Sequence, residues 1–142
     1  MNKSEQQPRR SYTRRAIGLA LCFSPLILLL CSAVVALVRS ERRPFAAIGF
    51  IVGALLFACL NFYLSFIRPW WLRRRHGSLD GIRHVSGLPI IGTILVLLGG
   101  VLGFGAMGTA LLGLVAVTLD TGGAPWFLIA TWRDSSFWDS SK

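Results

Sequence analysis

Of the six acidic side chains in this 142-residue sequence, Glu5, Glu41, Asp80, Asp134 and Asp139 fall in hydrophilic stretches, and only Asp120 interrupts an apolar run. A carboxyl group in that setting can hold a proton or a cation, or it can tie helices together. Either use requires polar partners, because a charge at the centre of a membrane helix costs at least about 2.5–3.5 kcal/mol. Thr121 follows directly. Asn61 and Ser65, one helical turn apart in an earlier apolar run, are natural hydrogen-bonding partners from a neighbouring helix. Asp120, Thr121, Asn61 and Ser65 together form the candidate intramembrane polar site. The following Thr121-Gly122-Gly123-Ala124-Pro125 breaks a helix, and irregular backbone at membrane depth must be buried in protein or line a water-filled cavity. Discontinuous helices of this kind host ion and substrate sites in transporters. A second reading ends the span near Leu119 and makes Asp120–Pro125 a boundary loop ahead of a short interfacial segment, Trp126–Trp132.

Little else in the chain suggests chemistry. His76, Asp80 and His84 are spaced four apart and could line one helix face as metal ligands. Gly77 and Gly81 weaken any helix there, so no metal site is expected. Cys22, Cys31 and Cys59 all lie in apolar runs with no C-x-x-C pair, which reads as small hydrophobes in a structural role rather than a disulfide framework. No Gly-x-Ser-x-Gly, phosphate-binding glycine loop or zinc-protease signature occurs. The expectation is a non-enzymatic protein with no catalytic residues and no cofactor.

The elements that must position Asp120 follow from composition. The chain is 54% hydrophobic and 15% charged, with a net charge of +9. Soluble domains are roughly a quarter charged. This excludes a water-soluble enzyme or DNA-binding domain, despite a pI of 11.1. It also excludes disorder. Ala16–Val38 and Phe45–Ile67 are uncharged runs of 23 residues each, long enough to cross a ~30 Å hydrocarbon core. The first exceeds the apolar region of a signal peptide, so it reads as an uncleaved anchor. Leu88–Leu119 would reach ~48 Å as one helix, so it must fold back near Gly99-Gly100 or Gly103-Phe104-Gly105. The fold class expected is all-α: a polytopic membrane protein, a bundle of four transmembrane helices with the fourth interrupted near Asp120. Residues 1–15 form a basic N-terminal tail. The four-helix domain covers 16–132, with spans at about 16–38, 45–67, 88–104 and 107–132 and a basic loop at 68–87. Residues 133–142 form the C-terminal tail. Pro25 should kink the first span, and Arg39–Arg43 with Pro44 makes the first two spans a hairpin.

Positive charge sets the orientation. With the N-terminus inside, four spans leave only Arg39, Arg42 and Arg43 of the fifteen basic residues outside, whereas three spans strand the C-terminal Arg133 and Lys142 there as well. Both termini are therefore expected in the cytoplasm. Arg73, Arg74 and Arg75, with Trp70 and Trp71, should meet anionic headgroups of the bilayer, at ~1 kcal/mol per basic residue. Trp126 and Trp132 flank the last apolar stretch as further belt residues. The basic charge is thus explained by topology, and no nucleic-acid partner is needed. Small residues spaced by four supply the packing faces: Gly49 and Gly53 in span two, with Ala54 and Ala58 beyond them, and Gly99 and Gly103 in span three. They suit a compact bundle, a homo-oligomer or a membrane-protein partner.

The segments Ser86–Gly92 and Leu119–Trp126 resemble a group of small uncharacterised bacterial inner-membrane proteins, over roughly the last 60 residues. The resemblance implies a multi-pass protein of the bacterial inner membrane and no particular activity. Some small polytopic proteins of that kind protect their cells from secreted toxins as immunity proteins. Four-span small multidrug transporters are similar in size but carry a Glu in the first span, which this sequence lacks. Three readings follow: a protein acting through helix–helix contacts, a small ion or solute transporter built on Asp120, and an immunity protein. The topology is checked by reporter fusions. Arg43 should report outside and Lys142 inside, and a periplasmic Lys142 excludes four spans.

Overall fold

Backbone N–H and C=O groups that leave water must bond within their own segment, and long uncharged runs do so as helices. The computed structural model describes residues 12–38, 45–76 and 90–138, and among these every regular element is helical. They form α1 (Tyr12–Val38), α2 (Phe45–Phe62), a π-helical turn (Tyr63–Ile67), α3 (Arg68–His76), α4 (Ile91–Leu102), α5 (Met107–Leu119), α6 (Ala124–Thr131) and α7 (Ser135–Trp138). Among the described residues, three stretches are long and apolar enough to cross a membrane: Tyr12–Val38, Phe45–Arg75 and Met107–Thr131. The last includes the interruption between α5 and α6. The Arg39–Arg43 link and Leu88–Pro89 lie outside the described residues.

Two boundaries differ from the expectation. The second span does not give way to a loop at Ile67; the helix continues as α3 to His76. Pro69 signals a helix end in sequence, because its ring displaces the carbonyl four residues back and it has no N–H to donate. The π turn directly precedes it, with the Arg68 N–H bonded to the Tyr63 carbonyl, so the distortion is absorbed without stopping the helix. The third apolar segment is also shorter than expected. α4 has 12 residues, ~18 Å of helix, which is too short to cross a membrane alone.

The approaches of Gly99 to Ile51 and Gly53 to Leu95 make α2 antiparallel to α4, and those of Asn61 to Asp120 and Gly113 to Ile51 make α2 parallel to α5. Those of Gly113 to Leu29 and Arg15 to Trp132 make α1 antiparallel to α5 and α6. The core seam is built from small side chains. Ala47, Ala54, Ala58, Ala110 and Ala116 are buried, and Leu29, Val96 and Val117 fill the space between them. Glycines admit the closest approaches. A Cβ at Gly99 would stand 2.8 Å from Ile51 Cδ1 and 3.2 Å from the Ala47 carbonyl oxygen, and one at Gly103 would stand 2.9 Å from Ala47 Cβ. Gly53 has only an ordinary contact with Leu95, and Gly49 faces open space. Of the four packing glycines named from sequence, the structure brings Gly99 and Gly103 against α2 and leaves Gly49 on the outside.

Between α4 and α5 the chain reverses at Gly103–Ala106. Gly105 has φ +83°, a left-handed conformation favouring glycine, and its N–H donates to Ser32 Oγ at 2.9 Å. The large apolar side chains point outward: Leu56 and Ile129 are each 68% exposed, and Leu21, Ile27, Val101 and Leu111 are also exposed. Small residues inside and large hydrophobes outside is the pattern of helices associating in lipid, where apolar bulk gains nothing by turning inward.

Gly99→Leu and Gly103→Leu should each destabilise the fold by about 1–3 kcal/mol through overpacking. Gly49→Leu should change stability by no more than about 0.5 kcal/mol. Reversible unfolding of the detergent-solubilised protein measures all three.

Candidate functional site

The site grows out of the end of α5. The Asp120 N–H still donates to the Ala116 carbonyl at 2.9 Å, but its backbone then leaves helical geometry, with φ −74° and ψ 84°. Asp120 Oδ1 accepts from the Gly122 N–H at 3.2 Å, and the Gly123 N–H donates to the Asp120 carbonyl at 2.8 Å. This is a turn of the kind aspartate favours, with a side chain substituting for backbone partners two residues on. α6 then starts at Ala124, with Pro125 in its first turn, where a missing N–H costs no helical bond.

Neighbouring elements close around this turn. Asn61 Nδ2, from α2, donates to Asp120 Oδ1 at 2.6 Å. Ser65, in the π turn, shares a 2.9 Å hydroxyl–hydroxyl bond with Thr121. Thr93 Oγ1, from α4, accepts from the Ala124 N–H at 3.1 Å, which satisfies an otherwise orphaned donor at the start of α6. The Ile90 N–H reaches the Gly122 carbonyl at 3.4 Å. The structure thus brings together Asp120, Thr121, Asn61 and Ser65, the four residues named from sequence.

Asn61 (0% exposed) and Asp120 (3%) are buried, whereas Thr121 is half-buried and Ser65 is exposed. Asp120 lies at the level of Pro25, near the middle of α1, and the two line one crevice with Gly92, Thr93, Val96, Val117, Gly123 and Pro125. That crevice is too narrow to hold a water molecule. Oδ2 occupies the position where a Cβ on Gly92 would stand, and it lies 3.0 Å from a Cβ built on Gly123. Gly92 is in the first turn of α4 and Gly123 immediately precedes α6, so the carboxyl group lies beside the starts of both helices. Helix starts carry partial positive charge, although the first N–H of α6 is already bonded to Thr93 Oγ1.

Ile90 shows how strongly this junction constrains the chain. It is the one non-glycine residue with positive φ (74°) among the described residues. A β-branched side chain held there costs about 1–3 kcal/mol and persists only where its surroundings demand it.

Thr93, Gly92 and Gly123 were not singled out as site residues by sequence reasoning. The available signal was the Gly92-Thr93 pair opening the third apolar run, which places a residue without a side chain beside a hydroxyl where a carboxyl group must fit.

Elsewhere, the residues expected to meet headgroups lie on α3. The Arg74 guanidinium sits 4.4 Å from the Trp70 ring centroid and that of Arg75 sits 4.2 Å from Trp71. These are cation–π pairs at the four-residue spacing that faces side chains on a helix. Arg73 is exposed beside them. Of the three cysteines, Cys22 is buried and Cys31 and Cys59 are exposed, and all are free thiols. No group of three His, Cys, Asp or Glu among the described residues could hold a metal ion. Asp80, His84 and the His76 side chain lie outside that set.

Compared with protein-family models, curated proteins and solved structures, the chain finds no match.

Asn61→Ala should lower stability by about 1–3 kcal/mol, since it removes a donor from a buried carboxyl oxygen. Asp120→Asn should cost less than Asp120→Ala, because an amide oxygen can accept the same two bonds. Thermal unfolding in detergent ranks the three variants.

Proposed function

We propose that this chain is a multi-pass protein of the bacterial inner membrane with four membrane segments and cytoplasmic termini. In this reading it acts without catalysis, through helix–helix contacts with copies of itself or with a membrane partner. α4 serves as a short fourth-bundle element whose N-terminus stops at the depth of Asp120, and α5 and α6 form the interrupted last segment. The observation that carries the reading is the division of labour among small residues. Gly99 and Gly103 are used inside the bundle, whereas Gly49 stands on the outer face of α2 with nothing within 4 Å of its Cβ position. Small residues at a lipid-facing surface allow a second backbone to approach closely. The polar side chains, in contrast, are engaged within the chain, as in the Asn61–Asp120 and Ser65–Thr121 pairs. Arg73–Arg75, with Trp70 and Trp71, anchor the extended second helix at anionic headgroups.

A second reading, a small ion or solute transporter, is favoured by one specific observation. The unwound backbone at the end of α5 and the buried carboxyl group coincide at one depth, the setting in which interrupted helices hold cations. The two readings separate experimentally. Under the first, the protein in lipid vesicles self-associates or captures a membrane partner, and Gly49→Leu weakens self-association; a monomer that recovers no partner overturns it. Under the second, Asp120→Asn abolishes proton- or cation-linked flux in reconstituted vesicles. Retained flux in that variant overturns it.

A further inference from the structure

We propose that the C-terminal turn is a latch: Trp138, seated in a notch at Gly18 of α1, holds α6 closed over Asp120, and its withdrawal opens the crevice to water. This concerns access to Asp120 and goes beyond both readings above, since it holds whether or not an ion follows the water.

The residues after α6 were expected to form a simple tail. Instead α7 returns to the bundle, and Trp138 is only 7% exposed. Its six-membered ring occupies the place where a Cβ at Gly18 would stand, so the notch exists only because residue 18 has no side chain. The indole N–H donates to the Thr131 carbonyl at 2.8 Å, tying the ring to the last turn of α6. Trp132 lies beside it at 6.2 Å between centroids. The Arg15 guanidinium sits 5.4 Å from the Trp132 ring and donates to the Trp132 carbonyl at 3.4 Å. The far end of α6 is therefore fastened to α1 by one docked ring and one arginine.

The near end of α6 is a hydrogen-bonded turn, with the Gly123 N–H on the Asp120 carbonyl and the Ala124 N–H on Thr93 Oγ1, about which α6 can pivot. This turn has two consecutive glycines, Gly122 and Gly123, and Gly123 and Pro125 form a wall of the Asp120 crevice. Pro25 of α1 also lines that crevice. α6 is thus a short lever with a hinge beside Asp120 and a fastening at its other end. Its start is tied to α4 and α5 by the Ala124 N–H to Thr93 Oγ1 and Trp126 Nε1–H to Thr118 carbonyl bonds, and the rest packs apart from the central seam. Leu128, Cys22 and Trp138 form their own buried cluster, apart from the one around Leu29, Ala54, Val96, Ala116 and Val117. Units with independent packing open independently. Removing Trp138 takes away the largest member of the cluster that holds α6 to α1.

Thiol labelling of the full-length protein in lipid nanodiscs tests the latch. Cys22, with Cys31 and Cys59 replaced by Ala, reports the fastening. Val117→Cys, with all three native cysteines replaced by Ala, reports the crevice. Trp138→Ala should raise the maleimide labelling rate at both positions by about tenfold or more, as local opening becomes frequent. Gly18→Leu, which keeps Trp138 but fills its notch, should do the same. Ala54→Cys, in the central seam of the same cysteine-free chain, should stay protected in both variants. A crevice thiol that stays protected overturns the proposal, as does an equal rise at Ala54→Cys, which would mean general loosening. Flux through the Asp120→Asn protein is a separate measurement, so failure of the latch and failure of the transporter reading are distinguishable.

Discussion

A carboxyl group removed from water must find its hydrogen bonds in the protein, and in this chain the Asn61–Asp120 contact meets that requirement. Much of the surrounding architecture is arranged around it. α5 stops where the Asp120 side chain takes over from the backbone as a turn partner. α6 starts where Thr93 supplies an acceptor for its first free N–H. α4 carries Gly92 in its first turn because Oδ2 occupies the space a side chain would need. α2 must pass at a height that presents Asn61 and Ser65 together, one turn apart. Even the left-handed backbone at Ile90 is found at this junction, where its N–H meets the Gly122 carbonyl.

The rest of the bundle follows a different rule. Where the surroundings are apolar, large side chains gain nothing by being inside, so closeness of backbones decides the packing. That explains why the seam is alanine and glycine while leucine, isoleucine and phenylalanine cover the exterior. It also explains why only some of the regularly spaced glycines are used. A four-residue spacing defines a stripe on one helix, but which stripe meets a neighbour depends on how the helices are rotated. Gly99 and Gly103 face α2, and Gly49 on α2 does not face back.

The ends of the chain's helices show a third effect, the adjustment of a helix to a residue that ought to stop it. Pro69 follows a π turn and the helix continues into α3, so the arginines and tryptophans after it become an ordered face with ring-stacked guanidinium groups. A loop would leave the same residues without fixed partners. At the other extreme of the sequence, Trp138 gains burial only because Gly18, 120 positions earlier, leaves room for it.

The helical class, the long apolar runs and the isolation of Asp120 among the acids were legible in the sequence, because hydrophobic length and charge placement are one-dimensional properties. Asn61 and Ser65 could be named as partners for the same reason: few polar side chains occur in apolar runs, and their order along the chain limits the depth each can reach. The tertiary structure alone decided that α4 is short, that the second helix continues through Pro69 as α3, that Thr93 and Gly92 complete the junction and that the last tryptophan packs on α1. Each of these depends on the rotation and height of one helix against another, and on space left by a missing side chain. Neither quantity is written in the order of residues along a single strand of sequence.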